Sequence, residues 1–145
     1  MKYHTGIVKH DPPNSYGDCL RASVACILNR PSVHDVHHFY HDGCDGKTGM
    51  ARLRAYCKSI GFIPWMNYFD GQCSLAEILE FMSVQNPDIN YLLFGSTSCK
   101  TDHVVICRND KVIHNVAWAG NQIVAPSTDG AWFVIVFVPS ILGDV

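Results

Sequence analysis

The sequence predicts an α+β fold, with helices in the first part of the chain and a mostly antiparallel sheet in the second. Apolar residues at spacings of three and four dominate the first part, which is typical of helices with one buried face. The second part holds short apolar runs separated by turn residues, which is typical of strands joined in hairpins. We therefore expect the first helix to pack its apolar face on the sheet.

The first helix is predicted over residues 17–29 and ends before Pro31. Its small residues and its larger apolar residues cover different faces, so we expect neighbours on several sides. Gly17 relaxes the backbone before the first turn, and Asp18 is expected to cap the free amides there. Cys19 then lies where the positive end of the helix dipole favours a thiolate. A cysteine at the start of a helix is therefore a candidate for a reactive thiol.

Three further helices are predicted. Ser32, with Asp35 three residues on, is a capping pattern that starts a short helix through Tyr40. Residues 48–60 form an amphipathic helix that a glycine closes. Residues 74–82 begin with a second capping box.

Residues 3–9 are predicted as a short first strand or an extended arm, followed by a stiff loop with two prolines. The segments predicted as strands are 62–69, 90–95, 104–107, 111–113 and 131–138. Pro64 makes the first of these an edge or irregular strand, and the last is expected to be fully buried. The aromatic side chains of Trp65, Tyr68 and Phe69 suit either a substrate groove or the core, and core packing is favoured.

The composition limits the class of protein. A chain of 145 residues with 48% hydrophobic and 17% charged residues suits one domain over 1–145. A net charge of -2 without Lys/Arg clusters argues against a nucleic-acid partner. No run approaches the roughly 18 apolar residues of a membrane span, and residues 1–5 lack the apolar core of a secretion signal, so we expect a cytoplasmic protein without a membrane partner. The seven cysteines are expected to be thiols.

The strands on either side of a predicted turn at Asn109-Asp110 form a hairpin. His103 and Asn115 then lie at its open end, on neighbouring strands. An imidazole that acts as a base needs a third group to fix its tautomer and orientation, and a side-chain amide can do this. Cys19, His103 and Asn115 are therefore a candidate nucleophile, base and orienting residue.

Two short blocks of the chain resemble a known family. The first is Gly17-Asp18-Cys19 before an alanine-rich helix, and the second runs from Asp102-His103-Val104-Val105 to the closing Val112-Ile113-His114-Asn115. They resemble the papain-like cysteine peptidase superfamily, in particular its bacteriocin-processing branch and small phage and bacterial proteins of that type. The resemblance implies a papain-like fold, a nucleophile at Cys19, a base at His103 and an orienting residue at Asn115. We expect no cofactor and no metal ion.

Two departures from that family stand in this chain. Asn115-Val116 occupies the place where the branch usually shows Asp-Pro, although Asn is usual in papain-type enzymes. The family also uses a Gln shortly before the Cys to hold the oxyanion, and this chain has none there. We expect the side-chain amide of Asn14 to donate instead, with Asp18 and Trp118 also placed at the oxyanion and substrate-binding site.

The predicted function is that of a cysteine hydrolase, peptidase or amidase-like, which forms an acyl-thioester on a peptide or protein substrate. A phage origin would direct it at a host component in the host cytosol. The residues leave hydrolysis and group transfer equally open, and they leave the oligomeric state open. One alternative is a papain-like domain without turnover that binds a peptide, a nucleotide or a host protein.

A second alternative is a metal-binding structural protein. His34, His37, His38 and His41 would share one face of the short helix, with Cys44 nearby, which makes zinc conceivable. No Cys-x-x-Cys pair accompanies them, and one helix face rarely supplies a complete tetrahedral set of ligands. A solvated helix is the favoured interpretation.

Overall fold

The computed structural model describes residues 1–117 and 122–140. Within them it confirms the α+β prediction, with three α-helices and a six-stranded, mostly antiparallel sheet. The helices are α1 (Cys19–Ile27), α2 (Gly46–Ser59) and α3 (Leu75–Gln85). The strands are β1 (Phe62–Asp70), β2 (Asn90–Thr97), β3 (Asp102–Arg108), β4 (Lys111–His114), β5 (Ile123–Ala125) and β6 (Ala131–Pro139).

The sheet has the strand order β1-β6-β2-β3-β4, and β5 pairs with β2 beside this path. Strand β2 is antiparallel to β3, β5 and β6, and β3 is antiparallel to β4. The position of β1 at an edge confirms the prediction from Pro64, because proline cannot donate to a neighbouring strand. Strand β5 was not predicted, since its three residues are too few for a periodic signal.

The chain divides into two compact units. Residues 1–65, with the described residues from Val136 onward, form the first, and Met66–Ile135 form the second. The core of the first unit comes mainly from α1 and α2, with buried Ala22, Val24, Ala25, Leu53 and Cys57. The core of the second comes from its strands and α3, with buried Ile78, Met82, Tyr91, Leu92, Ile106 and Trp132. The expectation of a single domain over 1–145 stays a prediction.

Both predicted capping boxes are present. The Ser32 side chain accepts from a backbone amide while Asp35 reaches back to the N-cap amide, and Ser74 with Glu77 does the same at α3. The helix that Ser74 starts runs to Gln85, past the predicted end. Helix α2 begins with Asp45 as its N-cap, earlier than predicted.

The prediction of a helix from Ser32 through Tyr40 is wrong. The structure has a single 3-10 turn, Val33–Asp35, and Val36 is extended. The following segment makes bonds to other parts of its unit: the Val36 carbonyl accepts from Arg21 Nε at 2.7 Å, and His38 Nε2 donates to the Tyr16 carbonyl at 2.8 Å. Such tertiary bonds outweigh the weak helix propensity of valine and histidine.

Two burial predictions are also wrong. Strand β6 is buried over its first half but becomes exposed at its end. Trp65 and Tyr68 are 59% and 69% exposed rather than packed in the core. They lie on the edge strand β1, and Tyr68 stacks on Phe133 with ring centroids 4.6 Å apart, so its outer face meets solvent.

Helix α2, with 14 residues, is longer than α1 and α3. Over the described ranges, no helix has both the length and the apolar character needed to cross a bilayer.

Candidate active site

The hairpin of β3 and β4 forms as predicted, with Arg108 paired to Lys111 across a two-residue turn. Asn109 adopts a φ of 53°, a left-handed conformation that asparagine tolerates better than most residues. Its side-chain oxygen accepts from the Asp88 amide at 2.8 Å, and its carbonyl accepts from the Tyr91 hydroxyl at 2.8 Å. The turn is therefore held from the neighbouring strand, which fixes where the hairpin begins.

A bulge in this hairpin decides which way Asn115 points. Cys107 pairs with Val112, but the next residue, Ile106, pairs with His114, so Ile113 is an extra residue on β4. Without it, regular pairing would set Asn115 opposite Val104, whose side chain lies on the other face from that of His103. The extra residue shifts the register by one, and a shift of one residue moves a side chain to the opposite face. Asn115 consequently joins the face of His103.

His103 and Asn115 are in hydrogen-bond contact, as the hairpin prediction requires. His103 Nε2 lies 2.8 Å from Asn115 Oδ1. The same Oδ1 accepts the backbone amide of Ala117 at 3.0 Å, which identifies it as the oxygen of the side-chain amide. His103 therefore donates through Nε2–H, and in the neutral ring Nδ1 carries the lone pair. Nδ1 is the nitrogen that can take a proton.

Burial favours the neutral form of this imidazole. His103 is 9% exposed. Desolvation lowers the pKa of His103 below its usual value, and the hydrogen bond to Asn115 opposes this in part. A neutral, buried ring with a fixed tautomer is suited to act as a general base near neutral pH.

Asp102 and His114, the residues next to this pair in the sequence, make other contacts. Asp102 is exposed, and its carboxylate accepts the Thr128 amide at 2.7 Å and the Thr128 hydroxyl at 2.8 Å, which ties the start of β3 to the segment before β6. His114 pairs with Ile106 in the register and so faces away from His103, as the alternation of β4 predicts.

Cys19 is the first residue of α1 and is half-buried. All seven cysteines are thiols rather than disulfides, which confirms the prediction. Among the others, Cys57 and Cys107 are buried, and desolvation raises the pKa of each to about 12. Burial likewise raises the pKa of Cys26. These three thiols stay protonated at neutral pH and are poor nucleophiles.

Asp18 occupies the N-cap position of α1, but the prediction that it caps the helix is wrong, because its side chain makes no capping hydrogen bond. Its carboxylate is 2% exposed and turns back to the N-terminal segment. It accepts the amides of Ile7 at 3.0 Å and Val8 at 3.1 Å, and Arg21 lies 3.8 Å away. Two successive amides of an extended segment compete successfully with the helix. The expected place of Asp18 at the oxyanion and substrate-binding site stays a prediction.

The two residues before Asp18 are held by side chains as well. His38 donates to the Tyr16 carbonyl at 2.8 Å, and the Gly17 amide donates to His10 Nδ1 at 3.1 Å. Sequence reasoning missed both histidines in this role, because neither stands in a capping or turn pattern. Together with Asp18, they fix the backbone that leads to Cys19.

Residues 3–9 form the extended arm of the two predicted alternatives, since they contain no strand. Asn14 is exposed, in a turn that Asp11 and Ser15 close through backbone hydrogen bonds. Its expected oxyanion role stays a prediction. Trp118, expected at the substrate site, lies outside the described residues.

The premise of a metal site on one helix face is wrong, because the histidines do not share a helix. The ring of His37 packs against Tyr56 with centroids 5.4 Å apart, and His38 binds the Tyr16 carbonyl. In the part of the chain that the structure describes, no three side chains of the metal-binding types converge.

No protein-family model matches this chain, and neither the curated proteins nor the solved structures contain a significant match to it.

Proposed function

We propose that this protein is a cysteine hydrolase, peptidase or amidase-like, in which Cys19 is the nucleophile, His103 the general base and Asn115 the orienting residue. The observation that supports it most strongly is the hydrogen bond of 2.8 Å between His103 Nε2 and Asn115 Oδ1. A buried histidine with one nitrogen fixed by an amide oxygen leaves the other nitrogen for proton transfer. The contact depends on the bulge at Ile113 and on the hydrogen bond from the Ala117 amide to Asn115 Oδ1.

In the proposed mechanism, Nδ1 of His103 takes the proton of the Cys19 thiol, and the resulting thiolate attacks an acyl carbon. The carbonyl electron pair moves to oxygen and forms a tetrahedral oxyanion. When this collapses, the bond to the leaving amine or alcohol breaks, and His103 gives it the proton. Water then attacks the Cys19 thioester with His103 as base, which releases the acid and restores the thiol.

The choice of Cys19 as nucleophile follows from its position. It lies in the first turn of α1, where the helix dipole favours a thiolate, and it is half-buried. The deeply buried cysteines are disfavoured by their raised pKa values. Cys99 is exposed in a loop and lacks a helix start, so it serves as an internal reference thiol.

The oxyanion would be held by the backbone amide of Cys19 and by the side-chain amide of Asn14. Asn14 stands where the family that this chain resembles has a glutamine. Because asparagine is shorter, its amide reaches less far toward the oxyanion. By resemblance we also propose a papain-like fold and a peptide or protein substrate. The same resemblance leads us to propose a phage origin and a host component as the target. The sequence composition leads us to propose a cytoplasmic location.

A second candidate function is supported by the missing glutamine. A domain of this type without turnover would bind a peptide, a nucleotide or a host protein and would keep the His103–Asn115 contact only as structure. It predicts that Cys19→Ala leaves the protein's function unchanged.

The test is to trap an acyl-thioester. The protein is incubated with p-nitrophenyl esters and with a set of peptide amides, quenched in acid, and mapped by mass spectrometry. We expect an acyl adduct on Cys19 that is lost in His103→Ala, while Cys99→Ser, the matched control, labels Cys19 normally. An adduct that forms equally on Cys19 and Cys99, or equally in His103→Ala, would contradict the proposal.

A further inference from the structure

The carboxylate of Asp18 has unusual hydrogen-bond donors for a residue at an N-cap position. It stands directly before the proposed nucleophile, at the N-cap position of α1, and is 2% exposed. An N-cap carboxylate ordinarily accepts the amides of the second or third helical residue, here Leu20 and Arg21. Asp18 instead accepts the amides of Ile7 and Val8, at 3.0 and 3.1 Å, in the N-terminal arm.

This arrangement keeps the Asp18 carboxylate from capping the first turn of α1. A carboxylate that caps the helix would lie beside the amides of Cys19 and its neighbours and would raise the free energy of a thiolate there. Two amide hydrogen bonds from the arm, together with the Arg21 guanidinium 3.8 Å away, stabilise the carboxylate in this position. The arm and the helix thus compete for one carboxylate, and in this structure the arm holds it.

We propose that Asp18 is a positioning residue whose bonds from the amides of Ile7 and Val8 keep its own carboxylate from capping α1, so that Cys19 is a stronger nucleophile. The amides of Ile7 and Val8 then help to set the reactivity of Cys19, although they provide no reacting group. The inference rests on the proposed function, because it takes Cys19 as the nucleophile.

Loss of the two amide donors should change the reactivity of Cys19 in one direction. The double variant Ile7→Pro/Val8→Pro removes both amide donors, since proline has no N–H. The released carboxylate can turn to the helix, and we expect the apparent pKa for alkylation of Cys19 to rise by about half a unit. Adding Asp18→Asn removes the charge, and the rise should disappear. Lys9→Pro is the matched control, because the Lys9 amide does not bind Asp18, and it should leave the profile unchanged.

The measurement is the rate of iodoacetamide labelling of Cys19 as a function of pH, read by peptide mapping. No rise in the double variant, or a rise that persists in the triple variant, would overturn the proposal. If the proline variants do not fold, amide exchange decides: the Ile7 and Val8 amides should exchange slowly in the wild type and at least tenfold faster in Asp18→Ala. Equal exchange in both proteins would also overturn it.

This test is separate from that of the proposed function. If Cys19 is labelled equally in the wild type and in His103→Ala, the role of His103 as base is contradicted, but the proposed role of Asp18 is not. If the acyl-thioester forms normally but the pKa for alkylation of Cys19 does not change in the arm variants, the proposed role of Asp18 is contradicted and the proposed function is not.

Discussion

Asn115 Oδ1 lies 2.8 Å from His103 Nε2, although a regular hairpin would place these two side chains on opposite faces of the sheet. The extra residue, Ile113, brings Asn115 to the face of His103, and the Ala117 amide holds its oxygen toward the ring. Bulges of this kind are frequent beside active sites, where they redirect a side chain.

Replacing Asn115 should impair the reaction in a way that depends on the replacement. Asn115→Ala leaves the buried imidazole without its orienting acceptor, and we expect kcat/KM to fall by about tenfold or more, which is ~1.4 kcal/mol of transition-state stabilisation. Asn115→Asp keeps an acceptor and should retain most activity, while its charge moves the acidic limb of the pH–rate profile upward. Equal loss in both variants would argue against orientation as the role of Asn115.

The buried histidine should make the protein less stable in mild acid. Burial lowers the pKa of His103 in the folded state, so the unfolded chain binds the proton more readily. The free energy of unfolding should therefore decrease as the pH falls below about 6.5, the usual pKa of histidine, and continue to decrease down to the lowered folded value. His103→Gln should remove this part of the pH dependence in urea titrations. His34→Gln, at an exposed position, should not.

Glycine at position 95 should be essential for the sheet beside His103, with which it pairs. A Cβ there would lie 2.5 Å from Ile123 Cγ2 and 2.9 Å from the Trp132 ring. We expect Gly95→Ala to destabilise the protein by about 1–3 kcal/mol in denaturant unfolding. Gly46→Ala is the matched control: its Cβ meets nothing within 4 Å, and alanine favours the helix that begins there. An unchanged stability for Gly95→Ala would contradict the packing.

The Asp102–Thr128 contact should contribute modestly to stability. Asp102→Ala removes two hydrogen bonds, at 2.7 and 2.8 Å, from an exposed site, so we expect a loss of about 1 kcal/mol. Thr128→Val removes the hydroxyl bond alone and should cost less. A double-mutant cycle measures the coupling, and a coupling near zero would show that solvent replaces these bonds.

The sequence predicts elements well where local chemistry decides them. The hairpin follows from Asn109-Asp110 between two apolar runs, and the capping boxes at Ser32 and Ser74 follow from the acid three residues later. The edge position of β1 follows from its proline. In each case the signal and the structure lie within a few residues of each other.

The sequence fails where distant groups compete. Asp18 has the pattern of a helix cap, but amides some ten residues earlier take its carboxylate. The segment after Asp35 has a helical pattern, but its backbone and side chains bind elsewhere. The spacing also indicated that Asn115 would meet His103, yet that spacing alone gives the wrong face, and the bulge that corrects it has no sequence signal.

The neutral imidazole of His103 is proposed to take the proton of the Cys19 thiol, and the pH dependence of iodoacetamide labelling at Cys19 tests this most directly. Wild-type Cys19 should react at about pH 6, where an ordinary thiol with a pKa near 8.5 is protonated. In His103→Ala, Cys19 should be labelled only as the pH approaches that ordinary value. Identical profiles for Cys19 in the wild type and in His103→Ala would contradict the account.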